Sequence, residues 1–434
     1  MTQVRTAMVL GGYGLIGAAC VQALISDGFK VIGVGRSIAA GRRSNSQIEW
    51  LERDISAATE AEWTADMANV DVVVNAAGAL QDGMRDNLAN IHEVAIARMT
   101  AALEGSPARF IQISAAGVSE AASTEFFRSK MRGDRILMSS GLDWVVLRPT
   151  LVIGPQAYGG TALLRASAAI PFVGLMVLPD VEVQTVFIED LAKAVVQAAR
   201  GDIAGHTVAD VTESGAQTLG DLVLGFRNWL GFSPWRTTLE VPSLLVAAIS
   251  IGADVLGCFG WRSPLRSNAV KALAEGIRGN PQSLSSAGGA QCRSFAKTLN
   301  AMPSTAQERW FSRLYFLMPI GVATLALFWI ISGLIGLISQ DVARALLTDR
   351  GMSPVFAISS VFGGAILDIV LGVAALFRRW TRAACLAMMV VSIAYLVGGT
   401  FWTPDIWADP LGPFVKVLPG ISLAAFVAAV LEER

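Results

Sequence analysis

Cysteine and histidine are scarce in this chain of 434 residues: four cysteines (Cys20, Cys258, Cys292 and Cys385) and two histidines (His92 and His206). The cysteines lie far apart and form no C-x-x-C pair, so they read as buried or inert thiols and no metal is expected. Nor is there an excess of either charge. The 34 basic and 35 acidic residues leave a net charge of −1, so no global field recruits nucleic acid. The opening "MTQVRTAMVLGGYG" has no basic start, apolar core and small-residue cleavage site. It runs straight into a strand and a glycine turn, which predicts that the first domain stays in the cytosol.

Apolar residues, by contrast, are abundant. They make up 53% of the chain and concentrate at its end. The length itself predicts two to three domains. Residues 1–210 alternate β-branched runs such as "TAMVLG", "FKVIGVG", "VDVVVNAAG", "RFIQISAAG" and "DWVVLRPT" with amphipathic stretches. That alternation predicts an α/β domain, a doubly wound parallel sheet of the Rossmann type. Residues 211–313 carry a weaker helical signal and read as a cap or linker. Within them, 241–261 is apolar but broken by Asp254 and glycines, which favours a helix on the bilayer surface or packed on the domain over a span. Just after it, "WRSPLRS" suits lipid headgroups or a solvated loop.

From 314 to 434 the expectation is an all-α domain of four transmembrane spans, over 314–338, 354–377, 383–402 and 412–431. Each approaches or exceeds the roughly 20 residues that cross a hydrocarbon core. The loop between the second and third carries Arg378, Arg379 and Arg382, Arg309 and Arg313 precede the first, and "TPDIWADP" has no basic residue. The positive-inside rule then puts both termini and the first domain in the cytosol, with the chain integral to the inner membrane. Trp380, Trp402 and Trp407 fall at the interfaces. Lys416 can snorkel, and Asp368, mid-span, is either a functional group or a structural hydrogen-bond partner.

"VLGGYGLIGAAC" follows the first strand and opens the first helix, and Gly11, Gly12, Gly14 and Gly17 satisfy both G-x-x-G-x-x-G and G-x-G-x-x-G. With Tyr13, Leu15 and Ile16 they predict a pyrophosphate cradle at a helix N-terminus. The second strand ends at Arg36 and Ser37, where an NAD-selective site usually holds an acid. A guanidinium suits a 2′-phosphate, so NADP(H) is favoured over NAD(H). Asp54 and Ile55 are expected beside the adenine, and Ala76, Ala77 and Gly78 of "NAAG" where the cofactor crosses a strand end.

These motifs, with "FFRSKMRGDRILMSSGLDWVVLRPT" and "TVFIEDLAKAV", resemble the atypical short-chain dehydrogenase/reductase superfamily, in the branch of NmrA-like proteins and the nucleotide-binding accessory subunit of respiratory complex I. The likeness covers roughly 5–210, and the tail is similar to DoxX-like membrane domains. The resemblance implies that Ser114 is the catalytic serine and that Lys130 contacts the nicotinamide ribose. It also implies that Pro149, Thr150 and Leu151 lie near the nicotinamide, with "LVIGPQAYGG" shaping the substrate side. Phe126 stands where the family's tyrosine is expected, and Tyr158 is the nearby phenol after the lysine. A ketone reduction needs an acid for its alkoxide, whereas a quinone does not. The expected function is therefore hydride transfer to a lipophilic, quinone-like acceptor. The alternative is a non-catalytic NADP(H)-binding module for membrane assembly, which would have a protein partner, or for redox sensing. Nucleotide-sugar chemistry ranks last, because it normally relies on the tyrosine.

Overall fold

A computed structural model describes residues 4–80, 82–83, 87–261 and 263–431. Gln81, Met84, Arg85, Asp86 and the Arg262 of "WRSPLRS" lie outside the described residues, as do both extreme termini.

The first elements are β1 (Thr6–Leu10), α1 (Leu15–Ser26), β2 (Lys30–Gly35), α2 (Ile38–Ser44), β3 (Glu49–Glu52), α3 (Glu60–Met67) and β4 (Val72–Asn75). After a π-helical turn at Asn90–Val94 come α4 (Ala95–Ala102), β5 (Arg109–Ile113), α5 (Glu125–Met138) and β6 (Asp143–Pro149). The chain continues through β7 (Leu151–Ile153), α6 (Gly159–Ala168), β8 (Val173–Met176), β9 (Glu182–Val183), β10 (Thr185–Phe187), α7 (Ile188–Arg200) and β11 (Thr207–Val211).

Seven of these strands form one parallel sheet in the order β11-β6-β5-β4-β1-β2-β3. Successive side chains of a strand point to opposite faces, and both faces are covered. Ala7, Val9, Val72, Val74, Ile111 and Ile113 pack with α1 and α7 on one side. Met8, Leu10, Val73 and Phe110 pack with α3, α4 and α5 on the other. This is the expected doubly wound sheet, and its strand order reverses between β1 and β4, where such folds bind ligands.

The head continues through β12 (Gln217–Thr218), α8 (Leu219–Trp229), β13 (Thr237–Glu240), the start of α9 (Ser243–Cys258), α10 (Ser267–Ala274), α11 (Pro281–Ser286) and α12 (Phe295–Ala301). Residues 1–253 and 264–312 form one compact unit, so the stretch expected as a cap or linker belongs largely to the head. Polar bonds hold it there. Asn280 N donates to Asp210 Oδ2 at 2.8 Å, Gly279 N to Gln184 Oε1 at 2.7 Å and Phe295 N to Glu213 Oε2 at 2.7 Å. A separate apolar cluster of Ile153, Phe187, Leu222, Phe226 and Phe295 joins α6, α8 and α12.

The second unit, 254–263 with 313–434, contains most of α13 (Ala306–Ile338), then α14 (Gln340–Thr348), α15 (Pro354–Leu376), α16 (Thr381–Trp402) and α17 (Val417–Val430). Among the described residues, α13, α15 and α16 are long and apolar enough to cross a membrane. Their outer faces expose Leu327, Ile331, Ile335, Ile366, Val370, Val390 and Ile393. Apolar surface on this scale suits lipid rather than water. Small residues bring the helices together: a Cβ on Gly333 would lie 2.4 Å from Ala365 O, and one on Gly372 2.9 Å from Ala326 O.

The fourth apolar stretch, expected over 412–431, behaves differently. Its helix is α17, with 14 residues, or about 21 Å at 1.5 Å per residue, short of a core about 30 Å thick. Gly412 has a φ of +56° and precedes Pro413, which disfavours helical geometry in the residue before it. The helix therefore starts late. It still contributes Ala424, Val427 and Ala428 to the same core as Leu325, Trp329, Leu371, Cys385 and Met388.

Candidate functional site

The glycines of the first turn act by allowing backbones to meet. Gly11 has a φ of +68°, and a Cβ there would lie 2.9 Å from Ala77 Cα. A Cβ on Gly17 would lie 2.1 Å from Gly11 O, so α1 can reach the loop only without one. No side chain caps α1. Its first N–H groups, from Leu15, Ile16 and Gly17, present the positive end of the helix dipole to an anion. Across the turn, Ala76 N donates to Leu10 O at 3.1 Å and Ala77 N to Asn75 Oδ1 at 3.2 Å. The cradle thus faces the strand end that a dinucleotide crosses, and these residues fit its pyrophosphate.

Arg36 is exposed at the end of β2, with its backbone N–H donating to Tyr13 Oη at 3.1 Å. Tyr13 lies across Gly35, where a Cβ would come 2.2 Å from its ring, and 6.0 Å centroid to centroid from Trp50. Ser37 caps α2 by accepting from Ala40 N at 3.3 Å. Asp54 follows β3 and its carboxylate accepts from Ser56 N and Oγ at 3.0 and 2.7 Å, while Ile55 packs against the core.

The side expected to hold the nicotinamide is built on α5. Lys130 is buried and its Nζ donates to Ile113 O at 3.0 Å. A Cβ on Gly78 would lie 3.5 Å from His92 Nε2 and 3.7 Å from Lys130 Nζ, so the "NAAG" end, the lysine and this histidine converge. Phe126, one turn before Lys130, is half-buried, with its ring centroid 5.7 Å from the ammonium and 5.8 Å from the His92 ring. Among the described residues, the tyrosine's position offers no hydroxyl.

The neighbouring groups do not replace it. Ser129 Oγ donates to Phe126 O at 3.2 Å and so accepts, at 2.8 Å, from His92 Nδ1, leaving Nε2 to accept from Ala79 N at 3.4 Å. Burial, then the charge of Lys130, pulls the imidazole down to about 2, so His92 stays neutral. Ser114 is buried and its hydroxyl donates to Asp134 Oδ2 at 2.7 Å. That is about two turns of α5 beyond Phe126, so the serine is not paired with position 126. Asp134 also accepts from Arg148 Nη2 at 3.2 Å, and burial raises its carboxyl above the ordinary range. Burial likewise lowers Lys130 to about 8, against the opposing pull of Asp134.

Pro149 closes β6, its carbonyl accepting from Ala116 N at 2.9 Å, and Thr150 Oγ1 donates to Thr212 Oγ1 at 3.0 Å. Leu151 opens β7 beside β10. Tyr158 stands exposed at the N-terminus of α6. Sequence reasoning missed His92, Asp134 and Arg148. Only Asp134 left a signal, its spacing of four from Lys130, which puts both on one face of a helix. In α15, Asp368 is buried and accepts from Tyr395 Oη at 3.0 Å and Ser332 Oγ at 3.2 Å, which ties three helices together.

The fold and this cradle define an NAD(P)H-binding, reductase-like Rossmann domain joined to a membrane domain. Residues 11–177 match the NAD(P)H-binding family, and 326–425 match the DoxX-like family. A ceramide reductase of Caulobacter vibrioides is 22% identical over 247 residues, which are 56% of this chain and 77% of that protein. Among solved structures, the Bordetella bronchiseptica enzyme WbmG in complex with NAD and UDP superposes with a TM-score of 0.53 at 12% identity, covering 69% of this chain and 94% of the other. An NADPH-dependent quinone oxidoreductase of Escherichia coli complexed with NADPH gives a TM-score of 0.51 at 17% identity, covering 68% and 98%. These structural likenesses support the fold.

Proposed function

We propose that the chain is a membrane-bound, NADPH-dependent reductase of a lipophilic acceptor whose reduced form is a weak base, a quinone being the type. The observation that carries this reading is Phe126 beside Lys130, in a site where His92 is neutral and Ser114 is bonded to Asp134. When bound, the nicotinamide supplies hydride. The chain supplies a cation, Lys130, next to the acceptor, with no phenol to protonate it. An alkoxide product needs a positioned acid, worth about 10²–10⁴-fold, whereas a hydroquinone anion takes its proton from water. Arg36 favours NADPH through its charge. The similarity to a ceramide reductase supports a lipophilic substrate. Arg378 and Arg379 of the α15–α16 loop and Arg382 in the first turn of α16 support a cytosolic head and termini. Trypsin should then cut the head in inverted vesicles and spare it in right-side-out ones.

Full-length protein in nanodiscs is mixed with NADPH and then with either a short-chain quinone or a long-chain ketone, while nicotinamide absorbance is followed. The proposal expects oxidation with the quinone, almost none with the ketone, and a gain on the ketone alone in Phe126→Tyr. Ketone turnover by the unmodified protein would replace the quinone with a lipid carbonyl. Nucleotide binding without oxidation by either would favour the second reading, a non-catalytic assembly or sensing module, which the missing tyrosine also fits.

A further inference from the structure

Helix α9 is poorly covered. Of its 16 residues, Val246, Ser250 and Ala253 form one buried stripe, while Leu244 is 83% exposed, Ile251 63%, Val255 54%, Leu245 53%, Leu256 47% and Ile249 44%. Its sole charged residue is Asp254. In water such a face would be a liability.

The end of this helix is fixed. Trp261 Nε1 donates to Leu376 O, the last residue of α15, at 2.6 Å, and Arg378 N donates to Phe259 O at 3.1 Å. The rings of Phe259 and Phe377 meet at 5.1 Å, and the Arg378 guanidinium lies 5.7 Å from the Trp261 ring. All these residues belong to the membrane unit. They gather where α15 ends and α16 begins, beside exposed Trp380, Arg379 and Arg382. Tryptophan and arginine at the joined ends of two spanning helices mark a membrane–water boundary.

We propose that α9 is an interfacial helix, its exposed apolar residues immersed between the headgroups and acyl chains of the leaflet that meets this boundary, with the arginines beside it holding anionic headgroups. The occupant follows from continuity: the residues that directly follow α9, Phe259 and Trp261, are already bonded into the rim of the lipid-covered helices. Its breadth of exposure suits a fluid solvent better than a shaped partner. The proposal is independent of any catalytic activity.

Single cysteines at Leu245, Ile251 and Val255, in full-length protein carrying Cys258→Ser, are spin-labelled after reconstitution into phosphatidylethanolamine–phosphatidylglycerol vesicles. Collision with oxygen is compared with collision with a water-soluble nickel chelate. The expected ratio of oxygen to nickel accessibility is several-fold above that of a label at exposed Ser214 of the head, while a label at Val246 is shielded from both. Ready access by nickel at the three positions would overturn the proposal in favour of a water-exposed face. Shielding from both reagents would overturn it in favour of a second copy or another protein as the cover.

Discussion

Replacing Gly17 by alanine tests the nucleotide cradle at its tightest point. The new methyl would lie 2.1 Å from Gly11 O and 2.8 Å from Gly11 C, both backbone atoms of the same turn. Ordinary contact begins at 3.4 Å, so α1 or the loop has to retreat by roughly 1 Å. No rotamer change relieves a clash between a Cβ and a carbonyl. Overpacking of this kind costs about 1–3 kcal/mol, and the retreat pulls the helix N–H groups off the pyrophosphate they would hold. A loss of about 10- to 100-fold in affinity corresponds to 1.4–2.8 kcal/mol. The assay is a fluorescence titration of detergent-purified protein with NADPH, alongside its melting temperature. Gly160→Ala is the control, since a Cβ there meets nothing within 4 Å. If Gly17→Ala bound NADPH within twofold of the unmodified protein and melted at the same temperature, the assignment of this turn as the cradle would be wrong.

Other perturbations separate the remaining parts of the site. Arg36→Ala should weaken NADPH by about 10- to 100-fold, the worth of charge-assisted hydrogen bonds, and leave NADH nearly unchanged. Equal losses for both cofactors would contradict a 2′-phosphate role. Lys130 titrates near 8 in the folded head and near its ordinary 10.5 when unfolded. Between these values the unfolded chain holds more protons, so stability should rise with pH across that window. Lys130→Met should flatten that rise, as seen by comparing melting temperatures from pH 7.5 to 10.5; identical slopes would mean that the amine is not buried as described. In the membrane unit, Tyr395→Phe and Asp368→Leu should each lower thermal stability by about 0.5–2 kcal/mol. Their double variant should lose less than the sum, because both remove one bond.

The head was legible in the sequence because a strand buried on both faces and an amphipathic helix leave different periodicities, and β1 through β6 alternate them regularly. The glycine turn was legible because only glycine tolerates the contacts at 11 and 17. Three of the spans followed from length and apolarity alone. The fourth apolar helix is shorter than composition suggested, because composition does not register that Gly412 turns the chain before Pro413. The return of 264–312 to the head was invisible for a related reason. It rests on single polar bonds, such as those of Asp210 and Gln184, which have no period. Asp134 shares α5 with Lys130, but only the folded sheet brings His92 and Arg148, from two other elements, to them and to Ser114.

Seen as chemistry, that cluster is arranged to provide charge rather than protons. His92 is neutral with both ring nitrogens engaged, and the Ser114 hydroxyl is given to Asp134. Lys130, titrating near 8, still carries its charge at neutral pH, and among the described residues one of its three N–H groups is accounted for, by Ile113 O. A buried cation with donors to spare stabilises an anion forming beside it more strongly than water does, because the surrounding dielectric is low. A tyrosine at 126 would couple that cation to a proton. The phenyl ring instead lies 5.7 Å, centroid to ammonium, from it and offers no acid. On the proposed reading, such a site would lower the barrier most for an acceptor that becomes a stabilised anion on receiving hydride.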